Sequence, residues 1–273
     1  MNFYAKLDNS WKRSKSLLCI GLDPEHNKLP PFLHSKGGAI YAFCKEIIDA
    51  TADLVCAYKP QIAYFSAHNA EDQLEQIISY IHETYPDIPV ILDSKRADIG
   101  STAHQYAIET FEKYKADAVT LNPYMGFDAI EPFVSYKDKG AFILCKTSNK
   151  SSAEIQNLSV DGIPLYLKVA ELISQKWNSN NNLGLVVGAT YPEDLAQIRK
   201  CVGDIPILIP GIGTQGGNIE QTLKSSILPN NSGILLNSSR AILYAGDQED
   251  FASQARIQAI KTLEEIKKYT NNI

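Results

Sequence analysis

The residues of this 273-residue chain that could do chemistry fall at the ends of short apolar runs. The densest group reads Asp93-Ser94-Lys95-Arg96-Ala97-Asp98-Ile99-Gly100-Ser101-Thr102. Asp93 and Lys95 are two apart, so on an extended strand end their side chains point the same way. Lys59, in Tyr58-Lys59-Pro60, closes the run before it. Carboxylates and ammonium groups alternating at one place hold one another charged and in position. Two readings fit that pattern alone: an electrostatic site, or a salt-bridge network closing the mouth of the fold. A second group carries anion-binding signals. In Pro210-Gly211-Ile212-Gly213-Thr214-Gln215-Gly216-Gly217 the glycines let backbone N–H groups approach an anion closely, and Arg240 in Asn237-Ser238-Ser239-Arg240 can add a bidentate clamp. A glycine-rich turn by itself is weak evidence, so its place in the fold matters.

The elements that must position these groups recur along the whole chain. Short apolar runs read Leu17–Leu22, Leu54–Tyr58, Pro89–Asp93, Ala118–Leu121, Ala141–Cys145, Leu183–Val187, Pro206–Ile209 and Gly233–Leu236. Each is too short for a helix and none alternates strictly, as expected of parallel strands covered on both faces. Helical spacing lies between them, as in Leu74, Ile77, Ile78 and Ile81, or Phe251, Ala255, Ala259, Leu263 and Ile266. The alternation predicts right-handed βαβ units, and eight of them predict an α/β fold, a single (β/α)8 TIM barrel spanning 1–273. Periodicity alone leaves an open doubly wound sheet as the other arrangement. The reading includes an N-terminal helix at about 1–14, an extended polar loop over about 146–161 and a helix over Ile163–Trp177. In a barrel, functional residues sit where strands end, and phosphate sites after strands 7 and 8 recur. Both polar groups fall at those places.

Composition narrows the partners. A net charge of −5 argues against a general binder of nucleic acid or of an anionic membrane. No apolar run approaches the roughly 20 residues of a membrane span. The first residues lack a long apolar stretch, so no signal peptide is expected and the chain reads as cytoplasmic. The odd set Cys19, Cys44, Cys56, Cys145 and Cys201 has no zinc-ligand spacing and reads as reduced thiols. His26, His34, His68, His82 and His104 show no metal spacing either.

Asp93-x-Lys95-x-x-Asp98-Ile99-x-x-Thr102 resembles the signature of the orotidine 5′-phosphate decarboxylases. Gly21-Leu22-Asp23-Pro24, Lys59-Pro60, Thr147-Ser148-Asn149, the Pro210–Gly217 turn and Asn237-Ser238-Ser239-Arg240 match in the same order. The form Ala57-Tyr58-Lys59-Pro60-Gln61 with Lys146-Thr147-Ser148-Asn149 looks like the second, mostly bacterial subgroup. One departure is Lys150-Ser151, where that subgroup carries Pro-Gly.

The resemblance implies conversion of orotidylate to uridylate and CO₂ in pyrimidine biosynthesis, with no metal and no cofactor. It implies a charged array of Lys59, Asp93, Lys95 and Asp98, with Lys95 stabilising charge at C6 and then protonating it. Asp23, Lys59 and Thr102 would meet the ribose, Ser148 the pyrimidine edge, and Gln215, Gly216, Gly217 and Arg240 the phosphate. Family members are homodimers with shared sites, so Asp98, Ile99 and Thr102 would reach the neighbouring subunit's site. Three other classes compete. A Mg²⁺-dependent sugar-phosphate lyase or decarboxylase of the same superfamily, such as hexulose-phosphate synthase, shares a similar Asp-x-Lys-x-x-Asp element. A Schiff-base aldolase would use Lys59 or Lys95 as nucleophile. A non-catalytic barrel would only bind a nucleotide. Lys59 and the Thr147-Ser148 loop favour the nucleotide enzyme.

Overall fold

The computed structural model describes residues 1–34, 37–212 and 218–270. Eight parallel strands alternate with helices: β1 Leu18–Leu22, β2 Ala57–Pro60, β3 Ile91–Arg96, β4 Ala118–Leu121, β5 Gly140–Lys146, β6 Leu183–Val187, β7 Ile207–Pro210 and β8 Ile234–Ser238. Hydrogen-bonded neighbours run β2-β1-β8-β7-β6-β5-β4-β3. Two isolated parallel bridges, Tyr58↔Val90 and Gln61↔Asp93, join the two outer strands. The sheet thus closes on itself as a (β/α)8 barrel, the architecture expected from the alternation.

Burial explains the run pattern. Every residue of β1, β2, β4 and β6 is buried, because the helical ring covers one face and the barrel interior the other. Helix Glu71–Thr84 buries Leu74, Ile77, Ile78 and Ile81, and helix Phe251–Lys267 buries Phe251, Ala255, Ala259 and Ile266, on the faces their spacing indicates. All five cysteines are free thiols, and only Cys201 is not fully buried.

The strand ends differ from the apolar runs in one direction. β2 lies at Ala57–Pro60 rather than Leu54–Tyr58, β3 continues past Asp93 to Arg96, and β8 continues past Leu236 to Ser238. Apolar composition marks burial, whereas the backbone ladder runs on into the polar residues at the barrel mouth.

Helix Phe3–Ser14 closes the opposite end. Phe3 packs edge-on against Phe142 at 5.8 Å between ring centres. A Cβ on Gly140 would lie 2.1 Å from the Phe3 ring, so the glycine makes room for it. Lys6 pairs with Asp117 at 2.6 Å and Ser10 donates to the Cys56 carbonyl at 2.7 Å, both just before strands begin.

The segment after β5 corrects the expectation of an extended loop. It holds a turn at Lys150–Ser152, a helical turn at Ala153–Gln156 and an antiparallel hairpin of Ser159–Val160 with Ile163–Pro164. The following helix therefore starts at Leu165 rather than Ile163, because Ile163 and Pro164 are engaged in the hairpin, and a wider π-type turn continues it to Trp177.

Candidate active site

Parallel strands put their C-terminal ends at one mouth, and the charged groups gather there. The Asp93 carboxylate sits between two ammonium groups: Lys59 Nζ is 2.7 Å from Oδ2 and Lys95 Nζ is 2.7 Å from Oδ1. Lys59 and Asp93 are 4% and 6% exposed, whereas the Lys95 side chain remains 45% exposed and faces the opening. Burial by itself would raise the Asp93 carboxyl, but the charges and hydrogen bonds of Lys59 and Lys95 outweigh it and hold the group well below the usual carboxylate range. Burial would likewise lower Lys59, yet Asp93 and then Asp23 hold its ammonium above the ordinary lysine value.

The Asp93–Lys95 pairing forms by a route that spacing did not reveal. Lys95 has φ 48°, in the left-handed region that costs a non-glycine residue about 1–2 kcal/mol. The register between β3 and β4 shifts between Leu92 and Arg96. The two side chains meet across this bulge, not by extended alternation. Thr120, on β4, secures it: its hydroxyl donates to Asp93 Oδ1 at 2.8 Å and accepts from the Ser94 and Lys95 N–H groups at 3.1 and 3.0 Å. Sequence reasoning missed Thr120. Its only signal was a polar residue inside the apolar run Ala118–Leu121.

Asp23 follows β1, near enough to Lys59 for its charge to act there. Its Oδ1 is buried with no hydrogen-bond partner among the described residues. The Tyr244 hydroxyl fixes this segment, donating to the Asp23 carbonyl at 2.8 Å and accepting from the Glu25 N–H at 2.6 Å. Gly21 permits the neighbouring strand to close in, since a Cβ there would lie 1.9 Å from Ser239 Oγ. Arg240 opens the short helix Arg240–Leu243 just past β8 and is exposed. Its charge reaches Tyr64, after β2. Ser148 follows β5 and packs against Gly188 beyond β6. Gln215, Gly216 and Gly217 lie outside the described residues.

Asp98, Ile99 and Thr102 are not brought into this array. Arg96 turns outward to pair with Glu109 at 2.9 Å, and the chain beyond it lies on the surface. Asp98 accepts from the Ile99 N–H at 2.8 Å, Ile99 is 54% exposed and Thr102 is exposed. Tyr124 and Met125, on the turn after β4, are exposed too, at 83% and 45%. Among the described residues no cluster of three His, Cys, Asp or Glu side chains is arranged to hold a metal ion.

The arrangement presents a dry carboxylate and a solvent-facing ammonium at one point of the mouth, flanked by the Asp23 carboxylate and, across the mouth, by an exposed guanidinium. Residues 16–255 match the model of the orotidine 5′-phosphate decarboxylase / HUMPS family. Orotidine 5′-phosphate decarboxylase of Cupriavidus taiwanensis is 57% identical over 269 residues, covering 98% of this chain and 99% of the relative. The enzyme of the same name from Ralstonia pickettii is 55% identical over 271 residues, covering 99% and 100%. Among solved structures, the OMP decarboxylase of Leishmania donovani superposes with a TM-score of 0.86 at 39% identity, covering 98% of each chain.

Proposed function

The chain belongs to the orotidine 5′-phosphate decarboxylase / HUMPS family, and from that premise we infer that it is a carboxy-lyase that converts orotidylate to uridylate and CO₂. The magnesium-dependent sugar-phosphate alternative is not favoured, since relatives covering the whole chain at 55–57% identity bear the decarboxylase name.

The observation that carries the site assignment is the ionised Asp93 held between Lys59 and Lys95. In the reaction the bond from C6 to the carboxylate carbon breaks, and its electron pair stays on C6 as CO₂ leaves. The electron pair left on this sp² carbon lies in the ring plane, at right angles to the π system, and cannot delocalise into it, so fixed charges must stabilise it. The Lys95 ammonium does so and then gives its proton to C6. Asp93 lies beside the substrate carboxylate and orients Lys95. Lys59 and the Asp23 carboxylate hold ribose hydroxyls. Ser148 reads the pyrimidine edge. Arg240, with Gln215, Gly216 and Gly217, binds the phosphate, and this remote binding energy orients the reacting carbon.

Asp98, Ile99 and Thr102 complete the site of a second copy in a two-fold homodimer. The exposure of Ile99 and Thr102 supports this reading, as does the exposed apolar surface of Ile99, Tyr124 and Met125. The whole of 1–273 works as one barrel domain in the cytoplasm. Among the described residues no helix is long and apolar enough to cross a membrane. The test is loss of orotidylate absorbance on adding purified protein in excess EDTA. Stoichiometric uridylate and CO₂ are expected. Activity that vanishes in EDTA and returns with Mg²⁺ would overturn the cofactor-free mechanism.

A further inference from the structure

The turn that carries Ser148 is gripped from two sides. On one side stands the helical turn Ala153–Gln156. The Thr147 N–H donates to Gln156 Oε1 at 2.9 Å, and Gln156 Nε2 donates back to Thr147 Oγ1 at 2.8 Å. The Thr147 hydroxyl then donates to Asn149 Oδ1 at 2.7 Å, so the hydroxyl's direction is set. The next pair repeats the pattern, with Lys146 Nζ donating to Asn157 Oδ1. Lys146 is 1% exposed, and its ammonium lies 5.0 and 5.2 Å from the ring centres of Tyr166 and Tyr191.

On the other side is Gly188, whose N–H donates to the Lys146 carbonyl at 2.7 Å. A Cβ on Gly188 would come within 2.9 Å of the Ser148 backbone nitrogen. The strand end and the glycine are rigid parts of the barrel. The Gln156 clasp is the side that can open.

This grip answers the departure at Lys150-Ser151. A proline there would restrict the loop through its fixed φ. Lys150 has no such restriction, and side-chain bonds from Gln156 supply the restraint instead. We propose that Gln156 is a specificity-determining positioning residue: its two bonds to Thr147 hold Ser148 where it meets the pyrimidine edge. The proposal rests on the reading of Ser148 as the base-contacting residue.

The experiment compares two ligands on the full chain. Uridylate uses the base subsite and ribose 5-phosphate does not. In Gln156→Ala the Kd for uridylate should rise about tenfold, the loss expected from one or two hydrogen bonds, while that for ribose 5-phosphate stays within about twofold. Ser148→Ala should show the same split. If Ser148→Ala weakens uridylate and Gln156→Ala does not, the clasp is refuted and the Ser148 reading stands. If Ser148→Ala leaves uridylate binding intact, the Ser148 reading fails and the clasp fails with it. Equal weakening of both ligands in Gln156→Ala would also overturn the specificity role. Should Gln156→Ala not fold, Gln156→Glu carries the same comparison, since it keeps the acceptor and loses the amide donor.

Discussion

Replacing Thr120 by valine keeps the shape of the side chain and deletes one hydroxyl. That hydroxyl makes three hydrogen bonds, one to Asp93 and two from backbone N–H groups of the bulge that carries Lys95. The bond to the ionised carboxylate is worth about 1.5–3 kcal/mol, and each half-buried N–H left without a partner costs about 1 kcal/mol. The destabilisation should be on the order of 4 kcal/mol, which lowers the Tm of a chain this size by roughly 7 °C. Only the Asp93 share is felt at the reacting carbon. About 2 kcal/mol there corresponds to a loss of roughly 30-fold in kcat, with KM little changed because no substrate contact is removed. Thr120→Ser retains all three bonds and should restore kcat. Initial rates of orotidylate loss, taken well below the Tm of every variant, give the comparison. Wild-type kcat in Thr120→Val would refute the reasoning. So would a Thr120→Ser variant as slow as the valine, because packing by the methyl group would then be what matters.

Arg240→Ala should raise KM and lower kcat/KM by about 100-fold or more, given the strength of charge-assisted phosphate contacts, and added guanidinium should restore part of the rate; unchanged kinetics would place the phosphate elsewhere. Lys95→Ala should lose turnover almost entirely while still binding uridylate, and a near-normal kcat would remove its role as proton donor. Mixing Lys95→Ala with Asp98→Ala under subunit exchange should return about a quarter of wild-type activity, since half the dimers are mixed and each has one intact site; verified exchange without activity would confine Asp98 to its own chain. Asp117 concerns acid stability. Burial pushes its carboxyl up, but the His82 hydrogen bond and the Lys6 charge bring it from 3.8 to about 2. A folded value below the unfolded one stabilises above about pH 4, and the gain, on the order of 2 kcal/mol, disappears as pH falls through 2. Denaturation midpoints of Asp117→Asn should therefore depend less on pH between roughly 4 and 2 than those of the wild type.

Much of the barrel was legible because burial on both faces leaves a direct trace in composition. Six of the site residues named from sequence, Asp23, Lys59, Asp93, Lys95, Ser148 and Arg240, lie at strand ends or on the turns after them, where the rule for barrels puts functional groups. What escaped depended on contacts between residues far apart in sequence. Thr120 reads as one more β-branched strand residue until β4 is laid beside β3. Tyr244 holds the Asp23 segment from 221 positions away. Gln156 sits in a stretch whose polar composition suggested a loop without internal structure. The left-handed Lys95 escaped because lysine gives no hint of positive φ, as glycine or asparagine would.

The seam between β2 and β3 has a consequence for how the molecule can be altered. Only two isolated bridges join these strands, whereas β1, at the other side of β2, pairs with it through four successive residues. The Lys59–Asp93 ion pair spans that same seam. The groups assigned to the chemistry are thus also a rivet in a sparsely paired seam of the barrel. In many enzymes a functional charge is a liability that substitution can relieve, so stabilised but inactive variants are easy to obtain. Here selection for heat resistance alone would have reason to keep this pair, and a screen that ignores activity should not erode it.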